Sequence, residues 1–273
     1  MLTRLRQDFS QYPSQFWLMF AGMILSITGA AMIWPFLMIY ASETLSLPLA
    51  AAASLMSINA AAGLVSSIAA GPIVDRAGRK WVMVVGLVGN GLCYFLMSQA
   101  GSYAAFALTF GLSGAFSPLF NVGSDAMLAD LFPEKKRADA YALIRMARNI
   151  GVAAGPTLGG FVLSRSYNLG LYSAAIGLVF YGLLVLFFVR ETLPPEAEQA
   201  PAGVMHQLRG YWVALQDRPF MGVVGAFTLV QMVTALENHG WTGDDVLPGV
   251  QIVVGAYPRI IDLQLRGYAY IHF

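Results

Sequence analysis

The chain has 273 residues, of which 57% are hydrophobic and only 11% are charged. Soluble domains carry about 25% charged residues, so this composition argues against a soluble enzyme and indicates an integral membrane protein in a lipid bilayer. A formal net charge of +1 excludes a basic surface for nucleic acid. The single Cys93 can form neither an internal disulfide nor a metal site of its own. We expect no metal and no cofactor.

Long uncharged runs predict the membrane-spanning helices, because a helix needs about 20 apolar residues to cross the hydrocarbon core. In chain order, the predicted spans are residues 16–40, 48–73, two spans within 81–124 divided by a polar break at 98–102, then 141–163 and 169–189, with a shorter seventh segment at 220–236. The runs are continuously apolar and do not alternate with a period of two, which favours helices over barrel strands. The predicted fold is an all-α membrane protein.

Basic residues predict the orientation of the spans, because Lys and Arg are enriched in cytoplasmic loops. With a cytoplasmic N-terminus, only Arg165 falls in an outer loop. The basic residues of the inner segments are then Arg4, Arg6, Arg76, Arg79, Lys80, Lys135, Lys136, Arg137 and Arg190. We therefore expect a multi-pass protein of the plasma membrane.

The loop between the second and third spans carries the most specific motif. Residues 71–80 read GPIVDRAGRK, and they match G-x-x-x-D-R-x-G-R-K/R at every fixed position: Gly71, Asp75, Arg76, Gly78, Arg79 and Lys80. In this loop the sequence resembles the major facilitator superfamily of secondary transporters. The resemblance implies a gate latch that pairs with a helix end of a second six-helix half. The structural alternative is a basic turn that serves topology alone.

The fifth span carries a second motif. Residues 151–160 read GVAAGPTLGG and resemble the family's antiporter signature G-x-x-x-G-P-x-x-G-G, with Gly151, Gly155, Pro156, Gly159 and Gly160 at its fixed positions. Glycines four residues apart share one face and permit close helix packing, and the proline should bend the helix. Within the family the pattern implies proton-driven export and places the chain nearest the drug-proton antiporters. The alternative is a generic packing face.

Ionisable residues inside the fourth and fifth spans form a candidate charge cluster. Exporters of the family often carry an arginine in the fourth helix, and this chain has none at that place. Instead Asp125 and Arg145 should lie at similar depths in an antiparallel hairpin, with Arg148 about one turn deeper. We expect Asp125 to pair with one of the two arginines, because a lone intramembrane charge is costly. The pair is either a charge relay or a structural ion pair.

Uncharged polar residues are candidates for lining a central cavity, which the first and fourth helices line in the family. They are Ser26, Asn59, Ser113, Ser117 and Asn121. Hydrogen bonding between helices is an equally good explanation for each of them.

The resemblance covers residues 10–236 and implies one six-helix half, built from two three-helix inverted repeats, plus a partial seventh helix. We expect a transmembrane bundle at 1–190, a cytoplasmic linker at 191–218, the start of helix seven at 219–236, and a frameshifted or disordered tail at 237–273. The expected function is proton-coupled efflux of a small, lipophilic molecule by a truncated half, which would need a second half-bundle. The alternatives are an uptake permease for a small metabolite and a non-transporting scaffold or remnant.

Overall fold

The computed structural model describes residues 12–46, 48–193, 216–222, 224–225 and 228. The chain divides into two compact units, Met1–Ala200 and Pro201–Phe273. The described residues of the first unit form helices joined by short turns, with no strand among them. This confirms the predicted all-α fold.

Six long helices make up the described part of the first unit. The first, α1, runs from Ser14 to Leu45 and contains a 3-10 turn at Trp34–Phe36, where Pro35 has no amide hydrogen to donate. The others are α2 (Leu49–Ala77), α3 (Arg79–Met97), α4 (Tyr103–Leu131), α5 (Glu134–Leu163) and α6 (Tyr167–Phe188). Each of the first six predicted spans falls on one of these helices.

Five of the described helices are long and apolar enough to cross a membrane, namely α1, α2, α3, α4 and α6. At 30 residues α5 is also long enough, but it is more polar, because it begins with charged residues and carries Arg145 and Arg148 further along. The crossing predicted at residues 141–163 therefore stays a prediction of the sequence.

The helix contacts repeat with an internal symmetry. The helix α1 packs on α5 and α6, while α4 packs in the same way on α2 and α3, and α3 also packs on α6. If α1 is exchanged with α4, α2 with α5 and α3 with α6, the same set of contacts results. Because helices joined by short turns alternate in direction, α1 and α4 run in opposite senses, and the pattern is that of two three-helix inverted repeats.

Small residues bring α2 and α4 into close contact. A side chain at Gly114 would clash with the backbone carbonyl of Asn59, and one at Gly63 would lie 3.3 Å from the carbonyl oxygen of Gly114. Asn59 also donates a hydrogen bond across this contact to the carbonyl oxygen of Phe110, at 2.7 Å. Such close backbone approach is how membrane helices gain packing energy where lipid offers no hydrophobic driving force.

The second unit is described only at the start of the predicted seventh helix. Residues 218–222 are helical, as are 224, 225 and 228. The side chain of Asp217 accepts a hydrogen bond from the amide of Phe220 at 3.2 Å, and its carbonyl accepts one from Met221 at 2.9 Å, so Asp217 caps the helix. The predicted tail at 237–273 and nearly all of the predicted linker at 191–218 lie outside the described residues.

Candidate gate cluster and intramembrane polar sites

The α2–α3 loop places Arg79 at the first position of α3, with its side chain buried. Its Nε donates to the Asp130 carboxylate near the end of α4 at 3.0 Å, and its Nη2 lies 3.5 Å from the Asp75 carboxylate in the last turn of α2. Nη1 also donates to the Val74 carbonyl oxygen at 3.3 Å. One guanidinium therefore joins the ends of three helices.

A second carboxylate, from Glu191 just beyond α6, closes the start of α3. It accepts hydrogen bonds from the backbone amides of Arg79 at 2.9 Å and Lys80 at 3.1 Å. The first amides of a helix have no partner within the helix, and the helix dipole favours an anion there. Glu191 thus fastens the end of α6 to the α2–α3 loop.

Gly78 is required by this arrangement for two reasons. Its φ of 91° and ψ of 151° lie in a region that L-residues with a side chain rarely adopt. In addition, a Cβ at this position would clash with the carboxylate of Glu191. We call Asp75, Gly78, Arg79, Asp130 and Glu191 the gate cluster.

Two members of the gate cluster, Asp130 and Glu191, are absent from the residues singled out in the sequence. Asp130 also accepts a hydrogen bond from the hydroxyl of Thr192 at 3.1 Å, which ties α4 to the segment after α6. The predicted topology could have indicated both acids, because each lies at the end of a helix on the side of the membrane predicted for the α2–α3 loop.

The remaining residues of the loop motif lie at the margin of the gate cluster. Gly71 is half-buried in α2, and the side chain of Arg76 is exposed. Lys80 takes part through its backbone amide, while its ammonium lies 5.7 Å from the centroid of the Trp81 ring.

The glycine motif of α5 forms the contact with α1. A Cβ at Gly151 would lie 2.8 Å from Ile27, one at Gly155 would clash with Ala31, and one at Gly159 would lie 2.6 Å from the carbonyl oxygen of Met32. These three glycines therefore share the face on which the two helices meet.

The other two residues of that motif do not belong to the contact face. A Cβ at Gly160 would meet nothing within 4 Å, and Pro156 is exposed. The helix continues through Pro156 to Leu163.

The candidate charge cluster joins α4 to α5 through Arg148. Its Nη2 lies 3.9 Å from the Asp125 carboxylate and donates a hydrogen bond to Asn121 Oδ1 at 3.4 Å. Tyr141 on α5 donates to the backbone carbonyl oxygen of Asp125 at 2.9 Å. Within the described residues, Arg148 and not the exposed Arg145 is the arginine that approaches Asp125.

Two residues expected to line a cavity are instead buried inside the half-bundle. Ser26 on α1 is 6% exposed and Ser113 on α4 is 3% exposed. Their faces of the helices turn toward neighbouring helices, which favours helix packing, the alternative given for them above, and cavity lining stays a prediction. The hydrogen bond from Asn59 to the carbonyl oxygen of Phe110 likewise favours helix packing as its role.

The last two candidates lie on α4 and contact different neighbours. Ser117 accepts a hydrogen bond from Nδ2 of Asn90 on α3 at 2.9 Å and donates one to the Ser113 carbonyl oxygen at 3.2 Å. Asn121, one turn further along, accepts from Arg148. The sequence analysis missed Asn90, although a polar amide within an uncharged run is itself a signal.

The described residues contain no group of three or more His, Cys, Asp or Glu side chains that could hold a metal ion. The polar sites described above consist of ion pairs and hydrogen bonds. Those of the gate cluster lie at helix ends, and the others lie within α4 or join it to α2, α3 and α5.

Comparison with known sequences decides the family. The sequence model of the Major Facilitator Superfamily matches residues 19–257. The chain belongs to this superfamily. The matched region ends at residue 257. It therefore extends beyond residue 236, where the sequence analysis ended the resemblance. Membership makes the chain part of an integral membrane transport protein, as the apolar helices also indicate.

The curated relatives include antiporters and efflux proteins. The chain is 33% identical over 225 residues to a Na(+), Li(+), K(+)/H(+) antiporter of Planococcus maritimus, covering 75% of this chain and 52% of the relative. It is 22% identical over 166 residues to the quinolone resistance protein NorA of Staphylococcus aureus, covering 60% and 42%. The chain spans about half the length of the curated relatives it matches.

Solved transporter structures share the fold. A peptide transporter POT in complex with sulfate matches with a TM-score of 0.61 at 18% identity, covering 93% of this chain and 51% of that one. The human organic anion transporter MFSD10 matches with a TM-score of 0.56 at 22% identity, covering 70% and 51%. These similarities support the major-facilitator half-bundle found here.

Proposed function

We propose that this chain supplies the N-terminal half of a proton-coupled exporter in the plasma membrane, with a cytoplasmic N-terminus and a small, lipophilic molecule as cargo. The observation that carries the proposal is the contact between Asp125 and Arg148. Asp125 lies six residues before the end of α4, which corresponds to about 9 Å along the helix. The glycine motif of α5 and the antiporter and efflux relatives support the same reading.

Proton binding at Asp125 would change the force between α4 and α5. The ionised carboxylate attracts the Arg148 guanidinium, whereas the protonated acid has no net charge. A proton arriving from outside weakens the pair and frees Arg148, and release of that proton to the cytoplasm restores the attraction. Each transferred proton thereby breaks and restores the ion pair between α4 and α5. Coupling requires such a contact, whose strength depends on proton binding.

The gate cluster has a separate role in this proposal. Its contacts join the ends of α2, α3, α4 and α6, and the buried side chain of Arg79 is bound by groups of the protein itself. We assign it to conformational exchange, as the latch that holds one access state. Its counterpart would be a helix end of the second half-bundle, whether in the same polypeptide or in another chain.

The domain limits stay part of this proposal. We retain a transmembrane bundle at 1–190, a linker at 191–218 and a helix start at 219–236. Two helix ends among the described residues support these limits, since α6 ends at Phe188 and Asp217 caps the next helix. The aberrant character of 237–273 is a prediction from hydropathy alone.

A chimera tests the proposed function. Residues 1–222 of this chain replace the equivalent first half of the Planococcus maritimus antiporter, and everted vesicles are energised by respiration. We expect addition of a lipophilic cation such as ethidium to release protons from the vesicles, reported by a pH-sensitive dye. Sodium or potassium ions are added in parallel, because similarity to a Na(+), Li(+), K(+)/H(+) antiporter makes a monovalent cation the second candidate cargo.

The outcomes separate the alternatives. Solute accumulation in right-side-out vesicles without proton release would favour an uptake permease. A chimera that inserts fully and moves neither protons nor cargo would favour a scaffold.

A further inference from the structure

Polar residues of α4 form a stripe that leads from Asp125 into the middle of the helix. Ser113, Ser117, Asn121 and Asp125 follow one another at intervals of four residues, so each lies about 6 Å further along the axis and about 40° further around it. The stripe contacts α3 through Asn90 and α5 through Arg148. It is defined here as these four α4 residues with their two partners.

Two buried polar atoms without a hydrogen-bond partner lie on this stripe. Within the described residues they are Oδ1 of Asn90 and Nε of Arg148, and no other buried side-chain atom shares this condition. A buried polar group left without a partner costs about 1–3 kcal/mol. The two side chains contact adjacent turns of α4, at Ser117 and Asn121, and each orphan atom needs a polar partner that the described residues do not supply.

The chemistry of the two atoms identifies the occupant. Asn90 Oδ1 is an acceptor and needs a donor, whereas the Nε–H of Arg148 is a donor and needs an acceptor. A cation would satisfy the amide oxygen alone and be repelled by the guanidinium, and an anion would satisfy the guanidinium alone. Water donates and accepts, and buried waters normally bind such otherwise unsatisfied groups.

We infer that ordered water occupies a path along α4 between Asn90 and Arg148, and that Asp125 exchanges its proton through it. One helical turn, about 6 Å, separates Ser117 from Asn121, a gap that two waters span at a spacing of about 2.8 Å. The Ser117 hydroxyl and the Asn121 amide line the path. The presence of water in this path does not depend on the proposed function. Only the use of the path for proton exchange by Asp125 rests on that function.

Cysteine reactivity measures the water content directly. Thiols react as thiolates, which form readily beside water and poorly in apolar surroundings. Ser117→Cys and Ser66→Cys are made in a Cys93→Ala background, in the full chain in lipid nanodiscs. Ser66 on α2 is the matched control, because it is half-buried like Ser117 and its hydroxyl bonds the carbonyl oxygen of Ala115 on α4, outside the stripe. The probe is 2-hydroxyethyl methanethiosulfonate, which is small and uncharged and reaches both depths through the lipid.

We expect Ser117→Cys to react at least about tenfold faster than Ser66→Cys, because only the former thiol lies on the hydrated path. Asn121→Cys gives a second position on the path if Ser117→Cys does not fold, and it should react equally fast. Equal reaction at the path positions and at Ser66 would overturn the inference. So would slower reaction in sodium chloride than in N-methyl-D-glucamine chloride, because a bound cation and not water would then fill the site.

Discussion

Arg79 shows how a single charged side chain is tolerated inside the half-bundle. Its guanidinium contacts two carboxylates and a backbone carbonyl, and a third carboxylate binds its amide. The two carboxylates differ in their surroundings, because the Asp130 side chain is 24% exposed and that of Asp75 is 54% exposed. The more buried partner should matter more for stability, since exposed ion pairs contribute little.

Asp130→Ala should therefore lower the free energy of unfolding more than Asp75→Ala. Loss of Asp130 leaves the Arg79 Nε without its acceptor, at a cost of about 1–3 kcal/mol. Loss of the more exposed Asp75 should cost less than about 1 kcal/mol. Chemical unfolding of the two variants in detergent micelles measures the difference, and equal destabilisation would contradict the assignment of Asp130 as the main partner.

Asp75 should matter more for turnover than for stability. In the chimera, Asp75→Asn should slow export while the substrate concentration for half-maximal rate stays unchanged, because we propose that the gate cluster governs conformational exchange and does not contact substrate. Initial rates at several ethidium concentrations separate the two effects. A raised half-saturation concentration at normal maximal rate would contradict the latch role.

At the scale of helices, the contact between α1 and α5 depends on three glycines. Gly155→Ala should destabilise the protein by about 1–3 kcal/mol, because the added methyl clashes with Ala31 across a close contact. Gly160→Ala is the matched control, since its methyl enters open space and removes a helical glycine, with an expected gain of up to about 1 kcal/mol. Thermal unfolding of both variants checks this, and a Gly155→Ala protein as stable as the control would show that the two helices do not need the close approach.

Sequence patterns predicted the helices and some of their contacts, for physical reasons that also explain the failures. Uncharged run length fixes a crossing helix, and glycine spacing predicts a smooth face, as seen for Gly151. Which neighbour a residue meets depends on helix rotation, and one residue changes the direction by about 100°. That is why the sequence could not decide between cavity lining and helix packing for Ser113, which is buried, and did not predict the approach of Glu191 to the start of α3.

At the scale of the whole molecule, the distribution of basic residues predicts the orientation in the membrane. A cysteine at Gly101, in the turn between α3 and α4, should react with an impermeant maleimide in intact cells, because that turn is predicted to face outward. A cysteine at Asp139, near the start of α5, should react only after the cells are made permeable. The reverse pattern would overturn the predicted orientation.

The most direct test of the account asks whether Asp125 carries the coupled proton. In the chimera, Asp125→Asn keeps the size of the side chain but cannot exchange a proton, whereas Asp139→Asn removes an exposed acid on α5 as a matched control. Proton release from everted vesicles is measured on addition of ethidium or of potassium ions. The account predicts that release is lost with Asp125→Asn and retained with Asp139→Asn, at equal amounts of protein in the membrane. Undiminished release from the Asp125→Asn protein would contradict it.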